Sequence, residues 1–117
     1  MNYIDAYVAA VPTANKEAYR VLAEQMAVVF KKYGALNVVE NWGDDVPEGK
    51  LTSFTMAVKR EDNESIVFSW ITWPSKTVRD DAWKVVMQDP IMQGDGYKTI
   101  FDGKRMIFGG FQTIVQA

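Results

Sequence analysis

Residues 65–89 read SIVFSWITWPSKTVRDDAWKVVMQD. From Ser65 to Trp73 the residues alternate. Ile66, Phe68 and Trp70 fall on one side, and Val67, Ser69, Ile71 and Trp73 on the other, which is the two-residue period of a strand. Pro74 stops the strand, and Ser75 is a residue type that caps helices. Val78, Ala82, Val85 and Val86 then recur at helical spacing. Asp89-Pro90 is expected to end that helix, because the residue before a proline is pushed out of the helical region. A strand that runs straight into a helix is half of a split βαβ unit, so the fold depends on what lies on either side.

On the N-terminal side, Tyr3 to Val11 alternates as a strand and Pro12 ends it. Asn15 or Thr13 can cap the helix that follows. Its apolar stripe is Tyr19, Leu22, Met26, Phe30 and Tyr33, and Gly34 stands where a left-handed residue closes a helix. Leu36 to Trp42 is a second strand, with Leu36, Val38, Glu40 and Trp42 on one face. Residues 43–50, GDDVPEGK, form a turn-rich loop. Thr52 to Lys59 fits a strand or a helical turn equally well, and topology decides between them. A further strand between the two helices breaks the split βαβ order, so Ser53 to Lys59 is expected to be a short helix. Ile91 to Gly103 reads as loop and Lys104 to Val115 as the last strand. Gly109-Gly110 within that strand points to a bulge or a close approach. The expected fold is α+β, a ferredoxin-like βαββαβ sandwich, as one domain over residues 1–117.

Two helices cover one face of a four-stranded sheet. In the first strand Ile4, Ala6, Val8 and Ala10 are small and apolar, so they are expected to pack under the helices. Tyr3, Asp5, Tyr7 and Val11 then take the opposite face, together with Glu40 and Trp42 or their neighbours. A monomer would leave that aromatic face bare. A homodimer packed sheet against sheet is the expectation.

The composition sets outer bounds. Thirteen basic and fifteen acidic residues give a net charge of −2, against a binder of nucleic-acid backbones. The chain has no cysteine and no histidine, which removes disulfides, thiolate metal sites, histidine ligands and a serine–histidine triad. No apolar run reaches the length of a membrane span, and the N-terminus lacks a signal-peptide pattern. A cytoplasmic protein with no membrane or nucleic-acid partner is expected. Asp44, Asp45 and Glu48 match no calcium loop and read as a polar turn. No metal or cofactor is indicated. Any catalysis must use Asp, Glu, Lys or Tyr as acid or base, a bound cofactor, or a substrate that supplies its own carbanion.

Several stretches together resemble a known family: FSWITWPSK from Phe68, Arg79-Asp80, Asp89-Pro90, FDGKRMIFGGF from Phe101 and ENWGDDVPEGK from Glu40. They are similar to the YbaA-like family of bacterial proteins of unknown function over nearly the whole chain. The chain departs from that pattern at GDGYKTI, residues 94–100, where the family runs through Met-Pro before Phe-Asp-Gly. The resemblance implies the dimeric α+β barrel, a ferredoxin-like fold whose wider superfamily includes cofactor-independent monooxygenases, haem-dependent enzymes and lactone isomerases. Fold alone does not choose among these.

Two functions compete. In the first, a pocket of about 300 Å3 or more binds or processes a small organic molecule. Its expected lining is Asp5, Tyr7, Glu40, Trp42, Trp70, Arg79 and Arg105, with carboxylates as acid or base and arginine holding an anionic oxygen. In the second, the protein is a non-catalytic dimeric module, and the carboxylates on the sheet set dimer register.

Overall fold

The computed structural model describes residues 1–117 throughout. Strand β1 is Tyr3–Pro12, helix α1 Lys16–Lys32, β2 Asn37–Trp42, α2 Phe54–Ala57, β3 Glu64–Trp73, α3 Lys76–Val86, α4 Pro90–Gln93 and β4 Ile107–Gln112. The strands form one antiparallel sheet in the order β2-β3-β1-β4. This is the ferredoxin-like order, with α1 linking β1 to β2 and α3 linking β3 to β4. The ambiguous segment is the short helix α2, which Ser53 caps by accepting a hydrogen bond from the Met56 amide. No helix is long and apolar enough to cross a membrane.

Local chemistry explains most boundaries. Ser75 caps α3 through the Val78 amide, and Gly34 takes φ +115° just after α1. A Cβ at Gly34 would also stand 2.9 Å from Val78 of α3, so the turn and the packing between helices both favour glycine there. Asn15 precedes α1 but does not cap it. Its amide donates instead to the Ile100 carbonyl and ties down the loop after α4. Helix α3 stops at Val86, short of Asp89. Asp89-Pro90 opens α4, with the Asp89 carboxylate capping the Ile91 amide and proline at the first turn, where its missing N–H costs nothing. Strand β4 is shorter than expected because Gly103–Arg105 turns as a 3-10 helix before it. Its glycines make no bulge, since the pairing from Tyr3–Gln112 to Val8–Ile107 is continuous. Gly110 lies opposite Asp5, where a Cβ would collide with the Tyr3 side chain and meet an Arg79 nitrogen at 3.0 Å.

The assignment of faces to layers is the reverse of the sequence expectation. Tyr3, Asp5, Tyr7 and Val11 face the helices. Ile71 and Trp73 join Tyr3 in a core cluster with Phe30, Ala82 and Val86, and Val11 packs with Tyr19 and Val67. Phe30 meets Trp73 and Trp83 edge-on, with ring centroids 6.3 and 5.2 Å apart. The reason is polar. Asp5 can be buried only where partners reach it, and α3 supplies Arg79 and Trp83, while Tyr7 bonds Glu40 of β2 on the same face. Ile4, Ala6, Val8 and Ala10 take the opposite face. There the connection between β2 and β3 covers one end, with Val46 and Val58 packed on Val8, Ala10 and Ile66. Phe68 on that face meets Phe54 of α2 edge-on, and Ile4, Ala6, Val39, Trp70 and Phe111 share the rest, with no long helix over them as α1 and α3 lie over the other side.

The molecule is a slab with extents of 38 × 35 × 20 Å. Its accessible surface is 7637 Å2, against about 6,500 Å2 for a compact monomer of 13.3 kDa.

Candidate functional site

The register places three polar side chains in one row across the helix-covered face. Tyr7 of β1 lies opposite Ser69 of β3, and Ser69 opposite Glu40 of β2. Tyr19 reaches the same point from α1. The Tyr7 hydroxyl donates to Glu40 Oε2 at 2.5 Å, while Tyr19 and Ser69 donate to Oε1 at 2.6 and 2.5 Å. Ser69 is fully buried and Tyr19 nearly so. Burial first, and then the charge of Glu40, push the Tyr7 and Tyr19 phenols well above their ordinary range. Both therefore keep their protons at neutral pH. All three hydroxyl protons point to the carboxylate, so the cluster can only accept further hydrogen bonds.

Glu40 takes part in none of the chain's ion pairs. The two other carboxylates drawn into the fold from strands each have an arginine. Asp5 accepts Nε and Nη2 of Arg79, the latter at 2.7 Å, and both the Trp73 and Trp83 indole N–H groups at 2.9 Å. That uses its acceptor capacity and pins α3 to β1 and β3. Glu64 takes a bidentate Arg105 at 2.7 Å on each oxygen, and these hydrogen bonds hold its carboxyl below the ordinary range. Arg105 also donates to Asp102 and to the Lys59 carbonyl, fastening the turn before β4.

Glu40 opens into a cavity of about 110 Å3, which Lys16, Tyr19, Arg20, Trp42 and Val67 help to line. Lys16 sits 5.6 Å above the Trp42 ring, and the Tyr19 ring meets Trp42 and Phe101. Arg20 is engaged by Glu17 and Glu24. A second, apolar pocket of about 140 Å3 lies by Trp42, Val46, Phe54 and Phe68. Neither reaches the roughly 300 Å3 expected of a pocket for a drug-sized ligand.

The seven residues singled out from the sequence therefore separate. Tyr7, Glu40 and Trp42 come together. Asp5 and Arg79 form their own closed pair farther along the same face. Trp70 points to the opposite, open face, and Arg105 is held at the start of β3. Three residues of the site were not among the candidates. Ser69 follows from cross-strand register, Tyr19 looked like one more apolar stripe residue, and Lys16 gave no signal at all.

With the geometry in place, comparisons with known proteins give a consistent picture. The model of the family described as "Protein of unknown function (DUF1428)" matches residues 2–103. The chain belongs to the DUF1428 family. This DUF1428 chain is 55% identical over 115 residues to the uncharacterized protein YbaA of Escherichia coli K12, covering 98% of each, and equally so to YbaA of Shigella flexneri. Solved structures share its fold. A mutant of SnoaB, a cofactor-independent oxygenase from Streptomyces nogalater, matches with TM-score 0.61 at 13% identity, over 98% of this DUF1428 chain and 95% of SnoaB. A dimeric ferredoxin-like protein from an uncultured marine organism matches with TM-score 0.63 at 9% identity, over the full length of both. Rv0793 from Mycobacterium tuberculosis gives 0.53 at 11%, over 100% of this chain and 99% of that one.

Proposed function

We propose that this DUF1428 protein is a homodimer that binds a small organic molecule in the cavity over Glu40, with that carboxylate as hydrogen-bond and proton acceptor. The observation that carries this reading is the lone charge. Of the three carboxylates drawn in from the strands, Glu40 alone lacks a cation, and it lines a cavity. A part-buried anion held by three hydroxyls but by no cation keeps acceptor capacity toward the cavity, and such groups concentrate where proteins bind or react. An assembly role does not account for it, because Glu40 points to the helices and away from the open face. SnoaB shares the fold and is described as a cofactor-independent oxygenase, which agrees with a site made of side chains alone. The dimer rests on the open face and on the dimeric neighbour of the same fold.

Native mass spectrometry of gently purified protein tests this reading. A dimer that retains a reproducible extra mass, lost in Glu40→Gln while the dimer persists, is the expected result. An adduct that survives Glu40→Gln unchanged, or a wild-type dimer that carries none, contradicts it.

The reading as a non-catalytic assembly module has one observation in its favour: every buried side-chain nitrogen and oxygen already has a hydrogen-bond partner. On that reading Glu40→Gln alters stability and nothing else.

A further inference from the structure

The cavity over Glu40 holds a second unpaired charge. Lys16 lines the same cavity and belongs to no ion pair, and its ammonium rests on the Trp42 ring rather than on a carboxylate. Arg20 at the opening is already bonded to Glu17 and Glu24, so Lys16 is the cation left without a carboxylate. One free anion and one free cation therefore line one small space without meeting each other. The anion is surrounded by hydroxyls whose protons are already committed to it, so it accepts only donors. A cavity of about 150 Å3 holds benzene, so about 110 Å3 that opens to the surface has room for roughly four to five non-hydrogen atoms.

Resting on the reading of this cavity as a binding site, we propose that its ligand is a small zwitterion of the amino-acid class. The ammonium head is bound by Glu40 and its hydroxyl ring, and the carboxylate by Lys16. Trp42 forms part of the wall, and its π face holds the Lys16 ammonium at the cavity. The ligand completes two half-made ion pairs in one step. A ligand with one charge completes only one of them.

An NMR titration of the full-length protein, following the Trp42 indole N–H, tests the charge pattern with four probes. Glycine carries both charges, methylammonium and acetate carry one each, and ethylene glycol carries none. Glycine is expected to shift the Trp42 signal at concentrations at least tenfold lower than either singly charged probe. Lys16→Met, a change on an exposed helix residue, should remove that tenfold advantage without unfolding the protein, and Glu40→Gln should remove it as well. Methylammonium equal to glycine would overturn the role of Lys16 and with it the zwitterion. Acetate or ethylene glycol binding in preference to glycine would overturn the ligand class while leaving a binding cavity in place. No shift with any probe would overturn the ligand class too, and the mass retained in the native spectrum then decides separately whether the cavity binds anything.

Discussion

At the scale of the residue, the three carboxylates on the sheet show that similar chemistry serves different ends according to its partners. Asp5 is structural. Removing it strands the Arg79 guanidinium and two indole N–H groups together. Asp5→Ala should cost about 3 kcal/mol in denaturant unfolding, near the low end for a broken buried pair because Arg79 keeps some contact with water. Tyr7 and Tyr19 yield a second expectation. Their raised pKa values mean that the folded state holds both protons above the ordinary phenol range near pH 10. Their contribution to stability is therefore complete below about pH 10 and is lost as the pH climbs toward the folded values. In the native protein they should add nothing to the near-ultraviolet phenolate step around pH 10. The Tyr7→Phe/Tyr19→Phe protein should show a step of the same height as wild type. A step smaller by two tyrosines would contradict the geometry. Tyr7 and Glu40 were visible in the sequence as polar residues inside apolar strands. Their partnership was not, because it depends on a register that places Ser69 between them.

At the scale of the element, the strand and helix order was legible because each piece carries its own punctuation. Pro74-Ser75 divides β3 from α3, Gly34 closes α1, and the split βαβ order makes α2 a helix. The layering was not legible. Alternation assigns residues to the two faces of a strand but does not say which face the helices cover. The size of Ile4, Ala6, Val8 and Ala10 suggested a helix-covered face. The need of Asp5 for partners outweighed it, because Arg79 and Trp83 reach it from α3. The turn before β4 shows the same force of polar pairing over pattern. Arg105 leaves the expected strand to reach Glu64 and Asp102. Because the Glu64 carboxyl is held below its ordinary value near 4.5, this pair stabilises the fold fully above that pH, and its contribution fades as the pH falls through the folded value. The stability gap between wild type and Glu64→Gln, measured by denaturant unfolding, should therefore narrow as the pH drops below about 4.5. A gap that widens on acidification would contradict it.

At the scale of the whole molecule, a slab 20 Å thick is a sheet layer and a helix layer with a third layer missing. A second copy on the open face doubles the thickness to about 40 Å and matches the other two extents. It also covers Trp70 and Phe111 in the usual aligned packing of sheets about 10 Å apart. The small side chains of Ile4 and Ala6 suit that close approach. On the proposed function the two faces have separate work: the open face joins copies, and the helix-covered face binds. Solution mass by light scattering, measured side by side on wild type, Trp70→Glu and Glu40→Gln, tests that division most directly. Wild type and Glu40→Gln should both run at twice the 13.3 kDa chain mass, and Trp70→Glu at that mass once. A Trp70→Glu protein that stays dimeric while Glu40→Gln falls apart would contradict the account at its centre.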